Sequence, residues 1–245
     1  MVRFSFAVGL VVSLLCGIPQ HVSAADWLDP GVYPLADSQE SGEIHAFGNA
    51  ENLGDLSKQG LSDLAAMTPS NTGAGYWVST TAGKVFAFGD AIHRGDLQSI
   101  SLDAPVVDLA VTPDGNGYWL VTARGVVYAF GTARWRGSLA HVELRAPIVD
   151  LEPLASGNGY WLTAADGGVF AFGDAPFLGG LAKRALYRPI IDLLSTSDGT
   201  GYLLVGADGA IYPRGTARFR GSLANNAVSS SLIVAAELTA DGNGY

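Results

Sequence analysis

A repeat with a constant step constrains this chain more than any other feature of its sequence. The tripeptide Gly-Tyr-Trp occupies residues 75–77, 117–119 and 159–161, and Gly-Tyr-Leu follows at 201–203 with the same step of 42. Two further markers, Ala-Phe-Gly and Gly-x-Leu, recur in the same register. Self-similarity at one fixed period indicates structural units that bury their apolar faces against their neighbours.

Each unit predicts four short antiparallel strands. In the unit that starts at residue 147, β-branched and aromatic residues are separated by Ser-Gly-Asn and Asp-Gly-Gly, which are turn signals. The connections are too short for helical crossovers, so consecutive strands must be antiparallel. The predicted strands of this unit are residues 147–151, 160–163, 169–172 and 177–181.

A four-stranded meander that recurs at this period predicts an all-β chain, a β-propeller of five four-stranded antiparallel blades. The fifth blade combines both ends of the chain. Residues 31–35, 43–47 and 53–56 supply three strands, and residues 232–238 supply the remaining one. Pairing of this C-terminal strand with the N-terminal blade is expected to close the ring. The alternative is that the chain is a piece of a longer array.

The N-terminus predicts an export signal. A basic start is followed by an apolar run at residues 4–15, which is too short to span a membrane as a helix, and Val-Ser-Ala follows at 22–24. We therefore predict a signal peptide at residues 1–24 and a secreted, extracellular or cell-wall-associated protein. A retained membrane anchor is the alternative interpretation.

After cleavage, a short lead at residues 25–30 would precede the predicted propeller domain at 31–245. Cys16 is the only cysteine of the chain, so the mature protein would have no disulfide bond, no thiolate metal site and no cysteine nucleophile. Burial of a large apolar core must then hold the fold.

The charge of the chain argues against two classes of partner. Its formal net charge is −9, and it has no run of basic residues. Nucleic acids and anionic lipid surfaces both require a concentrated positive surface. We therefore expect no nucleic-acid partner and no membrane partner after signal cleavage. We also expect a monomer.

Two phrases resemble a family of secreted proteins. Residues 112–121 read Thr-Pro-Asp-Gly-Asn-Gly-Tyr-Trp-Leu-Val, and residues 168–175 read Gly-Val-Phe-Ala-Phe-Gly-Asp-Ala. They are similar to the tandem units of secreted actinobacterial propeller-like repeat proteins, over nearly the whole mature chain. The resemblance implies secretion and a propeller-like module, and it transfers no functional residue.

No catalytic set stands out, so we predict that the protein is not an enzyme and holds no cofactor or metal. Its histidines lack the close spacing of metal ligands. Aspartates 108, 150 and 192 recur with the repeat. They are interpreted as acceptors for backbone N–H groups of the neighbouring unit. The alternative is a ring of carboxylates that binds cations or acts as acid and base.

A near-duplicate decapeptide supplies the first candidate binding residues. Residues 131–140 read GTARWRGSLA, and residues 215–224 read GTARFRGSLA. One interpretation is a fourth, outermost strand whose arginines discourage edge-to-edge pairing. The other is an aromatic–arginine ligand site. The candidates are Trp135, Arg136, Phe219 and Arg220, and a second set in a basic, aromatic loop is Lys183, Arg184, Tyr187 and Arg188.

These patterns favour a secreted, non-catalytic binding module that recognises glycan, cell-wall or protein partners through loops on one face. Repetition suits multivalent binding, in which several weak sites act together. Two alternatives remain at this stage. One is a protein-interaction scaffold without a small ligand, and the other is a hydrolase or lyase with a site in a central channel.

Overall fold

The computed structural model describes residues 53–54, 56, 61, 63–224, 233–239 and 241–245. The predicted signal peptide and lead, residues 1–30, lie outside this part of the chain. So do the strands predicted at 31–35 and 43–47. Among the described residues, no helix is long and apolar enough to cross a membrane.

The described residues form four separate three-stranded antiparallel sheets, one for each repeat. Within every sheet the strands follow one another in chain order, as a meander. The first strands of consecutive sheets lie side by side. The strands are β1 (Leu64–Pro69), β2 (Gly75–Thr80), β3 (Val85–Gly89), β4 (Val106–Val111), β5 (Gly117–Thr122), β6 (Val127–Gly131), β7 (Ile148–Pro153), β8 (Gly159–Ala164), β9 (Val169–Gly173), β10 (Ile190–Ser195), β11 (Gly201–Gly206) and β12 (Ile211–Gly215).

The predicted fold class, a propeller of five four-stranded blades, is wrong. The first three strands of each unit are confirmed, but the fourth is absent from all four described repeats. Its place is taken by an irregular stretch that we call the return segment, which runs from the end of the third strand back toward the second hairpin. The return segments are residues 90–97, 132–139, 174–181 and 216–223.

Backbone conformation explains why the return segment is not a strand. Gly137 has a φ of 138°, outside the β region, and the equivalent Gly95 and Gly221 have values of 129° and 139°. Only the end of the segment is bonded to the hairpin, where the Leu139 N–H donates to the Gly125 carbonyl at 2.8 Å. The Gly-x-Leu marker therefore indicates a bend rather than a strand.

The predicted closure of the ring by strand pairing is also wrong. Residues 233–239 form no strand, and no sheet joins them to the first repeat among the described residues. The Ile233 N–H donates to the Ala207 carbonyl at 2.9 Å. Ile233 packs against the core of the fourth repeat, whereas Ala235 packs against the cluster that contains Leu56. Side-chain contacts, not a ladder of hydrogen bonds, thus connect this segment to its neighbours.

The core lies between consecutive repeats and is built from the Tyr-Trp pairs. Trp119 and Tyr160 are 1% and 0% exposed, and their ring centroids are 5.8 Å apart across the boundary between two repeats. The preceding and following boundaries have the same contact. Burying one such ring removes about 150–250 Å² from water, worth roughly 4–6 kcal/mol, which exceeds the ~1 kcal/mol of the ring–ring geometry itself. Both aromatic residues of each Tyr-Trp pair therefore belong to the core.

In three of the four described repeats, a β-bulge in the first strand directs an aspartate at the next repeat. The register of β4 with β5 shifts between Val106 and Asp108, and β7 and β10 shift at equivalent positions. The fully buried Asp108 carboxylate accepts a hydrogen bond from the Leu151 N–H of the next repeat at 3.0 Å. The interpretation of these aspartates as acceptors for neighbouring backbone groups is confirmed, with Asp150 and Asp192 making the corresponding bonds.

A second set of aspartates builds the first turn of the repeats. Asp198 accepts hydrogen bonds from the Thr196 hydroxyl at 2.6 Å and from the Thr200 N–H at 3.0 Å. These bonds, with the Thr196 hydroxyl making the largest contribution, lower the pKa of Asp198 to about 2. Asp241 likewise accepts hydrogen bonds from the Thr239 hydroxyl and the Asn243 N–H, and these bonds lower its pKa to about 2.

Substitution of Gly137 should separate backbone strain from crowding. An alanine at Gly137 or at Gly221 would be strained by about 1–3 kcal/mol, since both have φ near 140°. At Gly137 the added Cβ would also lie 2.5 Å from Phe172 Cδ1, whereas nothing lies within 4 Å at Gly221. We expect Gly137→Ala to lower the free energy of unfolding by at least about 1 kcal/mol more than Gly221→Ala in urea titrations. Equal losses would contradict a close contact with Phe172.

The Asp198 turn should make stability depend on acid pH. The folded-state pKa of about 2 lies below the ordinary value of 3.8. The stabilisation by the ionised carboxylate is therefore present above about pH 4 and is lost as the pH falls toward about 2. We expect Asp198→Asn to reduce the fall in thermal midpoint between pH 5 and pH 2. Asp174→Asn is the control, because the Asp174 carboxylate accepts no hydrogen bond from the described residues, and an equal effect of both variants would contradict the assignment.

Candidate binding surface

The return segments display an aromatic side chain at one equivalent position in three repeats. Trp135, Phe177 and Phe219 are 60%, 63% and 57% exposed. His93 occupies the same position in the first described repeat, and its imidazole is 3.6 Å from the Asp96 carboxylate. Large apolar side chains this exposed contrast with the fully buried Trp and Tyr residues only a few positions away in the strands.

The backbone on both sides of Trp135 is held by buried aromatic residues. The Trp119 indole Nε1 donates to the Arg134 carbonyl at 3.0 Å. On the other side, the Arg136 N–H donates to the Tyr160 hydroxyl of the next repeat at 3.1 Å. The exposed ring therefore stands on a main chain that is fixed immediately before and immediately after it.

The same two bonds fix the backbone around His93 and Phe177. At Phe177, the Trp161 indole donates to the Pro176 carbonyl at 2.8 Å, and the Leu178 N–H donates to the Tyr202 hydroxyl at 3.1 Å. Around His93, Trp77 and Tyr118 make the equivalent bonds. Phe219 has only the second bond, from the Arg220 N–H to the Tyr245 hydroxyl, because leucine replaces tryptophan in the fourth repeat.

Each of these tyrosine hydroxyls also donates a hydrogen bond. Tyr160 donates to the Gly137 carbonyl at 2.5 Å, and Tyr118 and Tyr202 donate to Gly95 and Gly179 in the same way. Burial raises the pKa of Tyr160, although the hydrogen bond from the Arg136 N–H opposes this shift. The hydroxyl therefore remains protonated and bridges two backbone groups of the preceding repeat.

Two of the predicted site residues, Arg136 and Arg220, have roles at the boundaries between repeats. The Arg136 guanidinium donates to the Asn158 side-chain oxygen at 2.9 Å, and Arg220 donates to Asn243 at 3.3 Å. Arg136 also lies over Gly173, since its Cγ is 3.1 Å from the place where a Cβ would stand. The interpretation of these arginines as charges that protect an outer strand is wrong, because there is no strand here to protect.

The arginines that precede the exposed rings are different. Arg134 and Arg218 are exposed. Neither guanidinium has a hydrogen-bond or ion-pair partner among the described residues. The equivalent positions of the other two repeats are occupied by Ile92 and Pro176. Trp135 and Phe219 therefore each follow a solvated positive charge that His93 and Phe177 lack.

The second predicted set lies in the loop between β9 and β10. Tyr187 is 84% exposed, and the Arg188 guanidinium carbon is 5.7 Å from the centroid of its ring. The Arg184 N–H donates to the Leu181 carbonyl, next to the hairpin at Gly167. This hairpin is at the opposite end of the sheet from the first turn, near which the return segment begins. The structure therefore does not bring Lys183, Arg184, Tyr187 and Arg188 together with Trp135 and Phe219.

Sequence reasoning selected two members of the exposed series and missed the other two as site residues. The signal was available, because His93, Trp135, Phe177 and Phe219 follow one another at a spacing of 42. The near-identity of the decapeptides at 131–140 and 215–224 indicates only the members that lie two periods apart. As for metal ligands, the described residues include no group of three or more His, Cys, Asp or Glu side chains that could hold an ion.

Comparisons with known proteins assign no family to the chain. Neither a scan of protein-family models nor a search of curated proteins finds a match. The resemblance of the repeats to secreted actinobacterial proteins therefore stays a prediction.

Removal of one tyrosine hydroxyl should measure the bond between repeats. Tyr160→Phe keeps the buried ring but leaves the Gly137 carbonyl and the Arg136 N–H without their partner. We expect a loss of about 1–3 kcal/mol in the free energy of unfolding. Tyr128→Phe is the control, because the Tyr128 hydroxyl has no hydrogen-bond partner among the described residues. A similar loss in both variants would show that the bridge contributes nothing specific.

Proposed function

We propose that this protein is a secreted, non-catalytic binding module that holds a glycan through the exposed aromatic residues of three return segments, Trp135, Phe177 and Phe219. One observation carries the proposal. Trp135 and Phe177 are more than half exposed on a backbone that buried Trp and Tyr side chains fix on both sides. Packing of the core does not require these two rings to be exposed to water.

The fixed backbone favours binding because it lowers the entropy that a ligand must remove. Ordering a mobile loop side chain on association costs about 0.5–1.5 kcal/mol. Trp and Phe have only two side-chain torsions, and here the main chain beneath them is already held. A weak stacking contact is therefore more effective than it would be on a flexible loop.

The chemistry of the rings favours a sugar. A single aromatic ring offers a flat apolar face with a negative quadrupole, which suits the polarised C–H groups on one side of a pyranose. The return segments that carry Trp135 and Phe219 include threonine, arginine and serine, so these two rings stand in polar surroundings. A folded protein partner would more often require a broad, contiguous apolar patch.

Repetition favours a polymeric ligand. The same position recurs once in each repeat, and consecutive repeats pack directly against one another. A polysaccharide likewise offers the same group at regular intervals. Linked weak sites can exceed the affinity of one site by about 10²–10⁴-fold when the geometry lets them bind together.

Secretion and lack of catalysis are parts of the same proposal. The basic start, short apolar run and Val-Ser-Ala of residues 1–24 support export, and a polysaccharide ligand suits a site outside the cell. The groups displayed at Trp135, Phe177 and Phe219 are aromatic rings, which hold a ligand but supply neither a nucleophile nor a general base.

Removal of the exposed rings should remove binding. We expect the protein to be retained on insoluble polysaccharide, and Trp135→Ala to weaken retention about three- to tenfold by loss of one stacking contact. The triple variant with Phe177→Ala and Phe219→Ala should not be retained. The measurement is depletion from solution on a panel of polysaccharides, with competition by the soluble glycan.

Tyr187→Ala is the matched control for these variants. It removes a more exposed aromatic ring from the opposite end of the sheets, so it should leave retention unchanged. Retention on no polysaccharide would contradict the proposal, as would full retention of the triple variant. Capture of one defined protein in a manner that depends on Trp135 would favour a protein-interaction scaffold instead.

A further inference from the structure

We infer that the ligand at Trp135 and Phe219 is an acidic sugar whose carboxylate is held by Arg134 and Arg218. This inference rests on the proposed function, since it names the class of glycan that these sites would take. It is carried by the two exposed guanidinium groups that directly precede exposed aromatic rings and have no partner among the described residues.

The arginines of the return segment divide into two kinds. Arg136 and Arg220 are bound to asparagine side chains of the following repeat. Arg134 and Arg218 make no such bond, although they are two positions away on the same segment. A guanidinium remains charged at any physiological pH and fits a carboxylate with two parallel hydrogen bonds. These two side chains therefore keep their full capacity to bind an anion.

The position of Arg134 is as well defined as that of the ring. Its carbonyl accepts the hydrogen bond from the Trp119 indole, and the next residue but one is held by Tyr160. The cation and the aromatic face thus start from adjacent residues on a fixed main chain. A sugar that stacks on Trp135 would have its substituents within reach of the flexible arginine side chain.

The series alternates between sites with and without an arginine directly before the ring. Ile92 precedes His93 and Pro176 precedes Phe177, so an arginine stands before the ring only in the second and fourth described repeats. The two sites with a preceding arginine are therefore two periods of the repeat apart. A polymer that carries carboxylates could be held by ionic contacts at these two repeats and by stacking alone at the repeat between them.

The negative charge of the protein limits how such a polymer can bind. A net charge of −9 repels a polyanion at long range. At 0.15 M salt the Debye length is about 8 Å, so distant repulsion is screened while a direct Arg–carboxylate contact persists. Binding should therefore depend on the two local arginines and not on general attraction to polyanions.

The test compares polygalacturonate with its methyl-esterified form, which keeps the sugar rings but loses the carboxylate charge. At 0.15 M salt we expect the wild-type protein to bind polygalacturonate about three- to tenfold more tightly. The double variant Arg134→Gln with Arg218→Gln should bind both forms equally, at the level of the wild-type protein on the ester. Trp135→Ala should weaken binding to both forms.

Two further variants sharpen the comparison. Arg124→Gln removes the same charge from an exposed arginine in the hairpin between β5 and β6, and it should leave the preference intact. Pro176→Arg places a cation before Phe177 and should increase the preference for polygalacturonate. Affinities can be measured by gel retardation in the soluble polymer.

The outcomes separate the inference from the proposed function. Equal wild-type binding to both polymers, or an equal effect of Arg124→Gln, would overturn the acidic sugar but leave a neutral glycan in place. Binding of neutral polysaccharides alone, with dependence on Trp135, would have the same meaning. Retention on no polysaccharide would overturn both. Stronger binding of a single-stranded oligonucleotide than of polygalacturonate would also overturn the inference.

Discussion

Each repeat reaches its predecessor through a tyrosine hydroxyl that serves two backbone groups at once. The hydroxyl accepts from one N–H and donates to a glycine carbonyl, as Tyr160 does with Arg136 and Gly137. The bond is possible because the ring is buried beside the tryptophan of the preceding repeat. Hydrophobic burial supplies most of the energy at this boundary, since one buried ring is worth several kcal/mol and one hydrogen bond about one. The hydroxyl contributes geometric specificity, because its two hydrogen bonds fix the position of the preceding return segment.

The buried residues at each boundary also position an exposed side chain at the surface. The buried Trp119 and Tyr160 bond to the backbone before and after Trp135, so the packing of the interior also orients an exposed ring. Where leucine replaces the tryptophan in the fourth repeat, Phe219 keeps only the tyrosine bond. The residues of the proposed glycan surface are thus positioned by the contacts between repeats. A ligand that spans several repeats would bind side chains whose backbone these contacts already hold.

The strands within a repeat could be predicted from the sequence, whereas the connection between repeats could not. Alternating aromatic and branched residues bounded by glycine turns specify β7 to β9 locally, and the turn aspartates are recognisable by their place beside glycine. The segment after the third strand looked like a strand because Trp135 and Phe219 stand among alternating residues. It is not one, because its peptide groups bond to side chains of two repeats and Gly137 turns the chain away from the β region. The same applies to residues 233–239, which contact their neighbours by packing.

The site shows the same division. The recurrence of a ring-bearing residue once in every repeat is written in the sequence, and it could have identified all four members. The sequence could not predict which arginine makes a structural contact, because Arg134 and Arg136 are separated by only one residue and have similar neighbours. The sequence by itself determined the period, the three strands of each unit and the residues that turn them. Only the tertiary structure decided that the fourth segment is irregular, that Arg136 bonds to Asn158 and that Arg134 remains in solvent. The physical reason is that these three features depend on contacts between groups that are far apart along the chain.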